Sequence, residues 1–502
     1  MPDRALRIRR DPSRIVARWV TCNRQSHMLW LGLSDNTLEL LADKLARVLL
    51  HRVAMRRAWI ATAFLAGCVP SQSAVFGPVA RDVQGRIGLS VEWSEDARTS
   101  AALSALLAKP IDLDAAVRIA LARNRRLQAR FDELGIAASQ VAEATVLPPT
   151  AVDADYKRAL SGGGSEIELS VVQDVLDLLQ IGQRRGIANA ELRASQARAV
   201  AATVELVAEV EMAFYDAVAA DQERELVKTA FDAAVASADL IERQHAAGNT
   251  TDLALVREQE QRERMRIETG RAEQLVKERR TRLAALVGLG DDPKSWSIAG
   301  RLPEPPSTLP ALGDLEQAAV TASLDLTALR ADADAAAARH RYAMVRTVLP
   351  ALGAGVAVAR RDGGEWEAGP ALRIGIPLFN QQQGPRARAR AEQRRARNEM
   401  AATSVELRAS AHTTRSRVEQ TFAEVRQLAD VVMPLRKRVL DETVLQYNAM
   451  NANTFELLTA RRDMVDIGRQ YIEALRRYWS AMAEAKALQR GGHAMGMKEE
   501  AP

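Results

Sequence analysis

A single offset of 202 residues lays the second half of this 502-residue chain onto the first, without a gap, across four kinds of local structure. Leu113-Asp114-Ala115-Ala116 recurs as Leu315-Glu316-Gln317-Ala318, and Val146-Leu147-Pro148 as Val348-Leu349-Pro350. Leu178-Leu179-Gln180-Ile181-Gly182 answers to Asn380-Gln381-Gln382-Gln383-Gly384, and Gln244-His245-Ala246-Ala247-Gly248-Asn249 to Gln446-Tyr447-Asn448-Ala449-Met450-Asn451. Solenoid repeats run to roughly 20 to 50 residues, so this period marks a tandem repeat of a domain-sized unit. Function must lie in what two such units build together.

Charge separates the start of the chain from the rest. The formal charge is +5, but residues 1–67 hold 12 Lys/Arg against 5 Asp/Glu, which leaves 57 basic and 59 acidic residues beyond them. The basic signature belongs to the leader, no basic stripe with interleaved aromatics follows it, and nucleic-acid binding loses its support. Met55-Arg56-Arg57-Ala58-Trp59 gives a short positive segment and Ile60 to Ala66 an apolar one, ending in Leu65-Ala66-Gly67-Cys68. That run is too short to span a bilayer and has the layout of a secretory signal. The tetrapeptide resembles a bacterial lipobox, which implies lipidation of Cys68 as the first residue of the mature protein. Residues 1–54 then read as an upstream start, outside the translated protein, and 55–67 as the signal peptide. Cys22, the only other cysteine, lies in that stretch, so no mature intrachain disulfide can form. Val69 after the cysteine is, by resemblance to other lipoproteins, the pattern of the outer membrane.

Along the mature chain, residues 68–110 read as an irregular N-terminal tail, 111–288 as the first repeat, 289–312 as a Pro/Gly-rich ordered connector, 313–488 as the second repeat and 489–502 as a C-terminal tail. Each repeat opens with a helix, unbroken from Leu113 to Thr145 in the first. A hairpin follows, at about 150–176 and again at about 351–379. In the first, Val152, Ala154 and Tyr156 alternate with Asp153, Asp155 and Lys157, and Ile167, Leu169 and Val171 with Glu166, Glu168 and Ser170. Next come helices from Gly182 to Gln244 and from Gly384 to Gln446, roughly 95 Å each at about 1.5 Å per residue. Val418, Phe422, Val425, Ala429 and Val432 keep the spacing of an interhelical seam. Pro434, where the first repeat has Asp232, predicts a bend in the second long helix only. Short turns at 245–251 and 447–453 reverse the chain into helices at about 252–287 and 454–488. Gly182 and Gly384 are the expected strand-to-helix hinges.

Lipobox, tandem repeat, paired hairpins and long reversing helices together resemble the TolC-like outer-membrane efflux proteins, over residues 111–488. Leu113-Asp114-Ala115-Ala116-Val117-Arg118-Ile119-Ala120-Leu121 is similar to that family's opening helix, and Gly375-Ile376-Pro377-Leu378-Phe379 to its last strand. The segment from Tyr447-Asn448-Ala449 through Thr454-Phe455-Glu456-Leu457-Leu458-Thr459-Ala460 is similar to its tip. The resemblance implies a mixed α/β membrane protein in which three chains pool four strands each into one 12-stranded barrel and their helices into a periplasmic coiled-coil tunnel. It implies a passive exit duct of a tripartite efflux system, working with a periplasmic adaptor and an inner-membrane pump to export small toxic compounds or metal ions. Physics agrees on one point: four strands cannot close a barrel, and lipid forbids open edges, so chains must share one.

Tyr447 and Glu456 match a gating tyrosine and a gating aspartate of that family, whereas Ala452 and Thr459 stand where a gating arginine and a second aspartate are found. Small polar residues at the turns, Gly248, Asn249, Thr250, Asn451 and Asn453, suit close docking of an adaptor's helices. Neither a cofactor nor a metal site is expected: His245, His340 and His412 lack ligand spacing. His493-Ala494-Met495-Gly496-Met497 offers groups that suit Cu(I), but reads as a frayed end. No Walker loop, dinucleotide fingerprint, His-Glu-x-x-His or nucleophile elbow is present, so no enzyme is expected. The sequence leaves open a soluble coiled-coil scaffold without a pore, for which two alternating strand pairs have no evident use.

Overall fold

The computed structural model describes residues 70–94, 105–158, 164–289, 296–361, 364–376 and 383–493. The chain divides into two units, Met1–Ala66 and Gly67–Pro502, and everything described belongs to the second. Cys68, Phe379 and the expected signal peptide lie outside the described residues.

The segment read as an irregular tail contains a helix, α1 (Gln72–Ile87). Ser71 caps it, and Val75, Val79 and Val83 form one fully buried stripe. Its helicity was masked by Pro78, which removes one hydrogen bond, and by a stripe of only three residues; their spacing of four was the available signal. The helix expected from Leu113 to Thr145 is also not continuous. It breaks into α2 (Leu113–Arg123) and α3 (Arg125–Thr145) at Asn124, whose backbone is extended while its side chain accepts a hydrogen bond from Leu127 N and donates one to the Leu286 carbonyl at 2.8 Å. Asn and Asp compete with the helix for their own backbone, and here a partner on another helix decides the contest.

After β1 (Ala151–Arg158) and β2 (Ser165–Asp174), a short α4 (Val175–Leu179) leads into α5 (Ile181–Ala246), 66 residues and about 99 Å long at 1.5 Å per residue. The reversing turn then gives α6 (Asp252–Val287). The strand-to-helix reorientation is made at Asp174, which caps α4, and at Gln180; Gly182 sits inside the first turn of α5 and has no left-handed φ. Gly384 likewise lies in the first turn of its helix, and residues 377–382 before it are outside the described set.

The connector is ordered where described. Trp296 and Leu302 are buried, and Ile111 bridges Ile298 in parallel pairing. Then follow α7 (Leu315–Ala322), α8 (Leu324–Val348), β3 (Leu352–Arg361), β4 (Glu367–Ile374), α9 (Gln383–Gln427), α10 (Met433–Asn448) and α11 (Thr454–Gln489). A π-helical turn, Leu428–Val432, joins α9 to α10. Pro434 cannot donate to the Asp430 carbonyl, and the ladder absorbs this by widening one turn earlier, so that Met433 N bonds Leu428 O. The seam shifts accordingly: Val418 and Val425 are buried as expected, but Leu428 is buried next and Ala429 only half so. With Asp232 in place of proline, α5 runs through without interruption.

Helix α5 packs along α6 and α3 of its own half and against α8 and α11 of the other, while α9 packs against α8 and α11. The main core gathers where these meet, around Phe131, Phe214, Tyr215 and Tyr478, with Tyr215 stacked on Trp479 at 5.7 Å. Charged groups at this junction come in sets rather than singly. Asp216 accepts from both Arg279 (2.9 Å) and Arg476 (2.8 Å), and Arg469 bridges Glu223 and Glu268. Paired in this way, a buried carboxylate such as Asp216 and half-buried ones such as Glu223 and Glu268 are tolerated between helices that a purely apolar seam would also hold.

The two hairpins merge into one antiparallel sheet in the order β1-β2-β3-β4. Its register sets Tyr156 opposite Ile167, Val171 opposite Val356 and Val356 opposite Pro370. Between β2 and β3 the backbones come unusually close: a Cβ at Gly355 would lie 1.9 Å from the Val171 carbonyl oxygen. Only glycine fits there.

Candidate functional site

Two regions stand out, the sheet and the helix-reversing turns. The sheet inverts the ordinary rule of burial. Its apolar face, made by Val152, Ala154 and Tyr156, by Ile167, Leu169 and Val171, by Val356 and Val358, and by Leu372 and Ile374, is continuous across all four strands because the register keeps these residues on one side. It is also the face turned to solvent: Val152 is 68% and Leu372 67% exposed. The opposite face carries the charge and is the more covered. Lys157 pairs with Glu168 at 3.2 Å and Arg361 with Glu166 at 3.1 Å, each across one strand gap. Arg373 on β4 reaches Asp153 on β1 at 3.0 Å, across the two strands between them. Such a reach requires a sheet curled towards its polar side, and Gly353, Gly355, Ala357 and Ser170 leave room for it. Both edges, β1 and β4, have no partner strand among the described residues. An open-edged, curled sheet with its greasy side outwards cannot be a finished structure in water.

At the first turn, Gly248 takes φ +75°, its N–H bonds His245 O, and Asn249 N–H bonds Gln244 O, a Schellman closure of α5. Thr251 then caps α6, and His245 Nε2 meets Asp252 Oδ1 at 2.5 Å. The second turn repeats the hydrogen bonds, Met450 N–H to Tyr447 O and Asn451 N–H to Gln446 O. There the left-handed position is held by Met450 at φ 60°, 93% exposed. Asn453 caps α11 by accepting from Glu456 N at 2.9 Å, while its amide approaches the Glu456 carboxylate at 3.4 Å. Glu456 therefore stands at the third helical position, paired with the residue that caps its own helix.

Tyr447 and Glu456 flank this one turn, the first half-buried and the second exposed, and no hydrogen bond joins them among the described residues. Gly248, Asn249, Asn451 and Asn453 are exposed and Thr250 half-buried, in two separate turns. Sequence reasoning passed over the apolar side chains beside them. Leu253 and Val256 on α6, and Leu445 and Phe455 around the second turn, are all largely exposed. It also passed over the ordering of His493, which lies 2.6 Å from Glu205.

Among the described residues no helix is long and apolar enough to cross a membrane. The architecture is a four-stranded sheet joined to very long paired helices. No protein-family model matches the chain, and no curated protein matches its sequence. Solved structures do match. The outer membrane protein VceC from Vibrio cholerae aligns over 76% of this chain and 96% of its own, with a TM-score of 0.63 and 18% identity. A membrane protein from Pseudomonas aeruginosa aligns over 82% and 99%, with a TM-score of 0.65 and 19% identity. The CmeC outer membrane channel of Campylobacter jejuni aligns over 76% and 86%, with a TM-score of 0.61 and 14% identity. At such identities the likeness is one of fold, and in fold this chain is similar to outer-membrane channels.

Proposed function

We propose that the chain is the outer-membrane duct of a tripartite efflux or secretion system: a homotrimer whose three sheets close a 12-stranded barrel and whose helices form a periplasmic tunnel. The observation that carries this reading is the exposed apolar face on a sheet with two open edges, backed by a charged, curled inner face. In lipid, open edges are forbidden, and joining β1 of one copy to β4 of the next satisfies both. Apolar residues then meet lipid and the charged face lines water. A tandem duplication accounts for the two hairpins, and the boundaries favour it: α6 and α11 begin at Asp252 and Thr454, one repeat offset apart.

On this reading the chain is a passive conduit with no catalytic role. The turns at Gly248, Asn249 and Thr250 and at Asn451 and Asn453 dock the helices of a periplasmic adaptor, through which an inner-membrane pump supplies the energy. Tyr447 and Glu456 form part of the gate, and Cys68 carries the lipid after cleavage behind Gly67, which the mass of the mature N-terminus tests. Membrane extracts of a producing Gram-negative cell should contain a heat-stable trimer in the outer-membrane fraction that conducts ions in planar bilayers. Glu456→Ala should raise conductance and lower cation preference, since a ring of three carboxylates attracts cations. A monomeric cytosolic product without conductance sinks the duct; unchanged selectivity in Glu456→Ala removes only the gate.

A further inference from the structure

We propose that Glu205, Asp325 and His493 form a binding site for a divalent first-row transition-metal ion, of the kind Zn2+ represents, which ties the C-terminal segment to both halves of the chain. The three residues come from distant parts of the sequence: Glu205 from the middle of α5, Asp325 from the first turn of α8 and His493 from just beyond α11. One ligand atom from each lies within 4.8 Å of the other two. His493 Nδ1 is 2.6 Å from Glu205 Oε1 and 3.6 Å from Asp325 Oδ2. Ligands at about 2.0–2.2 Å from a tetrahedral zinc ion stand roughly 3.3–3.6 Å apart, a spacing the His493–Asp325 pair already has and to which the His493–Glu205 pair would open.

The site is held in place by contacts that do not involve the three side chains. Arg86 donates to the carbonyls of Ala322 and Arg490, and Leu324 N–H bonds Gly491 O at 3.0 Å. Gly491 has φ +92°, and a Cβ there would come 2.2 Å from the Ala322 carbonyl oxygen, so the chain after α11 lies tight against the start of α8. His493 is thus delivered to the two carboxylates by the backbone. Preorganisation of this kind separates a site from a chance meeting of surface charges.

Charge and donor type set the ligand class. Two carboxylates and one neutral imidazole carry the charge that a divalent ion balances, while the two arginines lining the same cavity, Arg130 and Arg198, are paired with Glu133 and Asp332. An imidazole nitrogen with two oxygens suits zinc, copper, iron or nickel, while magnesium and calcium prefer oxygen alone. Side-chain exposures of 17% for Glu205, 22% for His493 and 36% for Asp325 leave the cluster partly dry yet reachable. A cavity of about 470 Å³ opens onto it, lined also by Glu406, Ser410 and Thr403 of α9, with room for the waters that complete the coordination.

The test is calorimetric and thermal, on the full chain in detergent without an affinity tag, stripped with chelator and titrated with Zn2+ or Mg2+. One Zn2+ per chain is expected, with a higher melting temperature on binding and no response to Mg2+. His493→Ala should weaken Zn2+ binding at least ~10-fold and abolish the thermal shift, and Asp325→Asn should do the same if His493→Ala fails to assemble. Zn2+ binding unaffected by both substitutions, or no binding by the wild-type chain, overturns the site and leaves His493 as an ion-pair partner only. None of these outcomes bears on whether the chain conducts ions, so the duct stands or falls separately.

Discussion

At the scale of single residues, the two turns differ at one telling position. Gly248 takes its left-handed φ without cost, whereas Met450 takes it against the contact of its Cβ with the following carbonyl, worth roughly 1–2 kcal/mol. Met450→Gly should therefore stabilise the second turn by about 0.5–1 kcal/mol after the entropy of glycine is subtracted. Slower hydrogen exchange at residues 446–453 is the expected reading, and unchanged exchange means that Met450 is held by a partner at the tip. Deep between α9 and α11, burial pushes the Glu484 carboxyl above the usual carboxylate value, although Arg417 at 2.5 Å pulls the other way. A raised folded-state pKa makes the folded protein bind this proton more tightly than the unfolded chain does. Its contribution to stability is complete below the unfolded value near 4.5 and is lost as pH rises through the folded one. Glu484→Gln removes that loss, so the melting temperature of the variant should gain on the wild type between pH 4.5 and 7.5. A variant that instead falls further behind the wild type as pH rises points to a dominant Arg417–Glu484 attraction.

Among the elements, the sheet carries the sharpest test, because its period of two assigns each neighbour to an opposite environment. Ile374 is exposed on the apolar face, while Arg373 next to it lies on the charged one. Ile374→Asp should reduce the yield of assembled protein severalfold, since a carboxylate in lipid costs up to a few kcal/mol depending on depth. Arg373→Gln, which gives up only an exposed pair with Asp153, should assemble normally. Trimer yield on native gels reads both, and equal yields count against lipid contact at β4. The long helices divide in a comparable way. One proline, at position 434, accounts for the π turn in the second, and its absence accounts for the unbroken 66 residues of the first.

For the molecule as a whole, the open edges make a prediction about copies of the chain. Joining edge to edge brings β1 of one protomer against β4 of its neighbour, so a cysteine at Ala154 combined with a cysteine walked along residues 368–374 should give covalent trimers at one register on oxidation. Monomers at every register, in protein that fractionates with the outer membrane, would falsify this closure.

The sequence alone determined a great deal here, because helix and strand periods and turn chemistry are local or one-dimensional properties. The α6 boundaries, Asp252–Val287, and the first hairpin could be read from it, since alternation over eight residues and a polar turn need no partner to be recognised, whereas the last strand closes at Ile374, before Gly375 and Ile376 where the resemblance placed it. What it could not reveal depends on groups distant in the chain. The break at Asn124 needs the Leu286 carbonyl, the burial of α1 needs the helices it rests on, and the glycine contact at 355 needs the backbone of β2. His493 looked like a frayed end because its neighbours in sequence give it nothing to hold. Glu205 and Asp325, nearly 290 and 170 residues away, do. Local free energies can be summed along a sequence, but contacts of this kind exist only once the long helices have brought the two halves together, and that is what the tertiary structure decided.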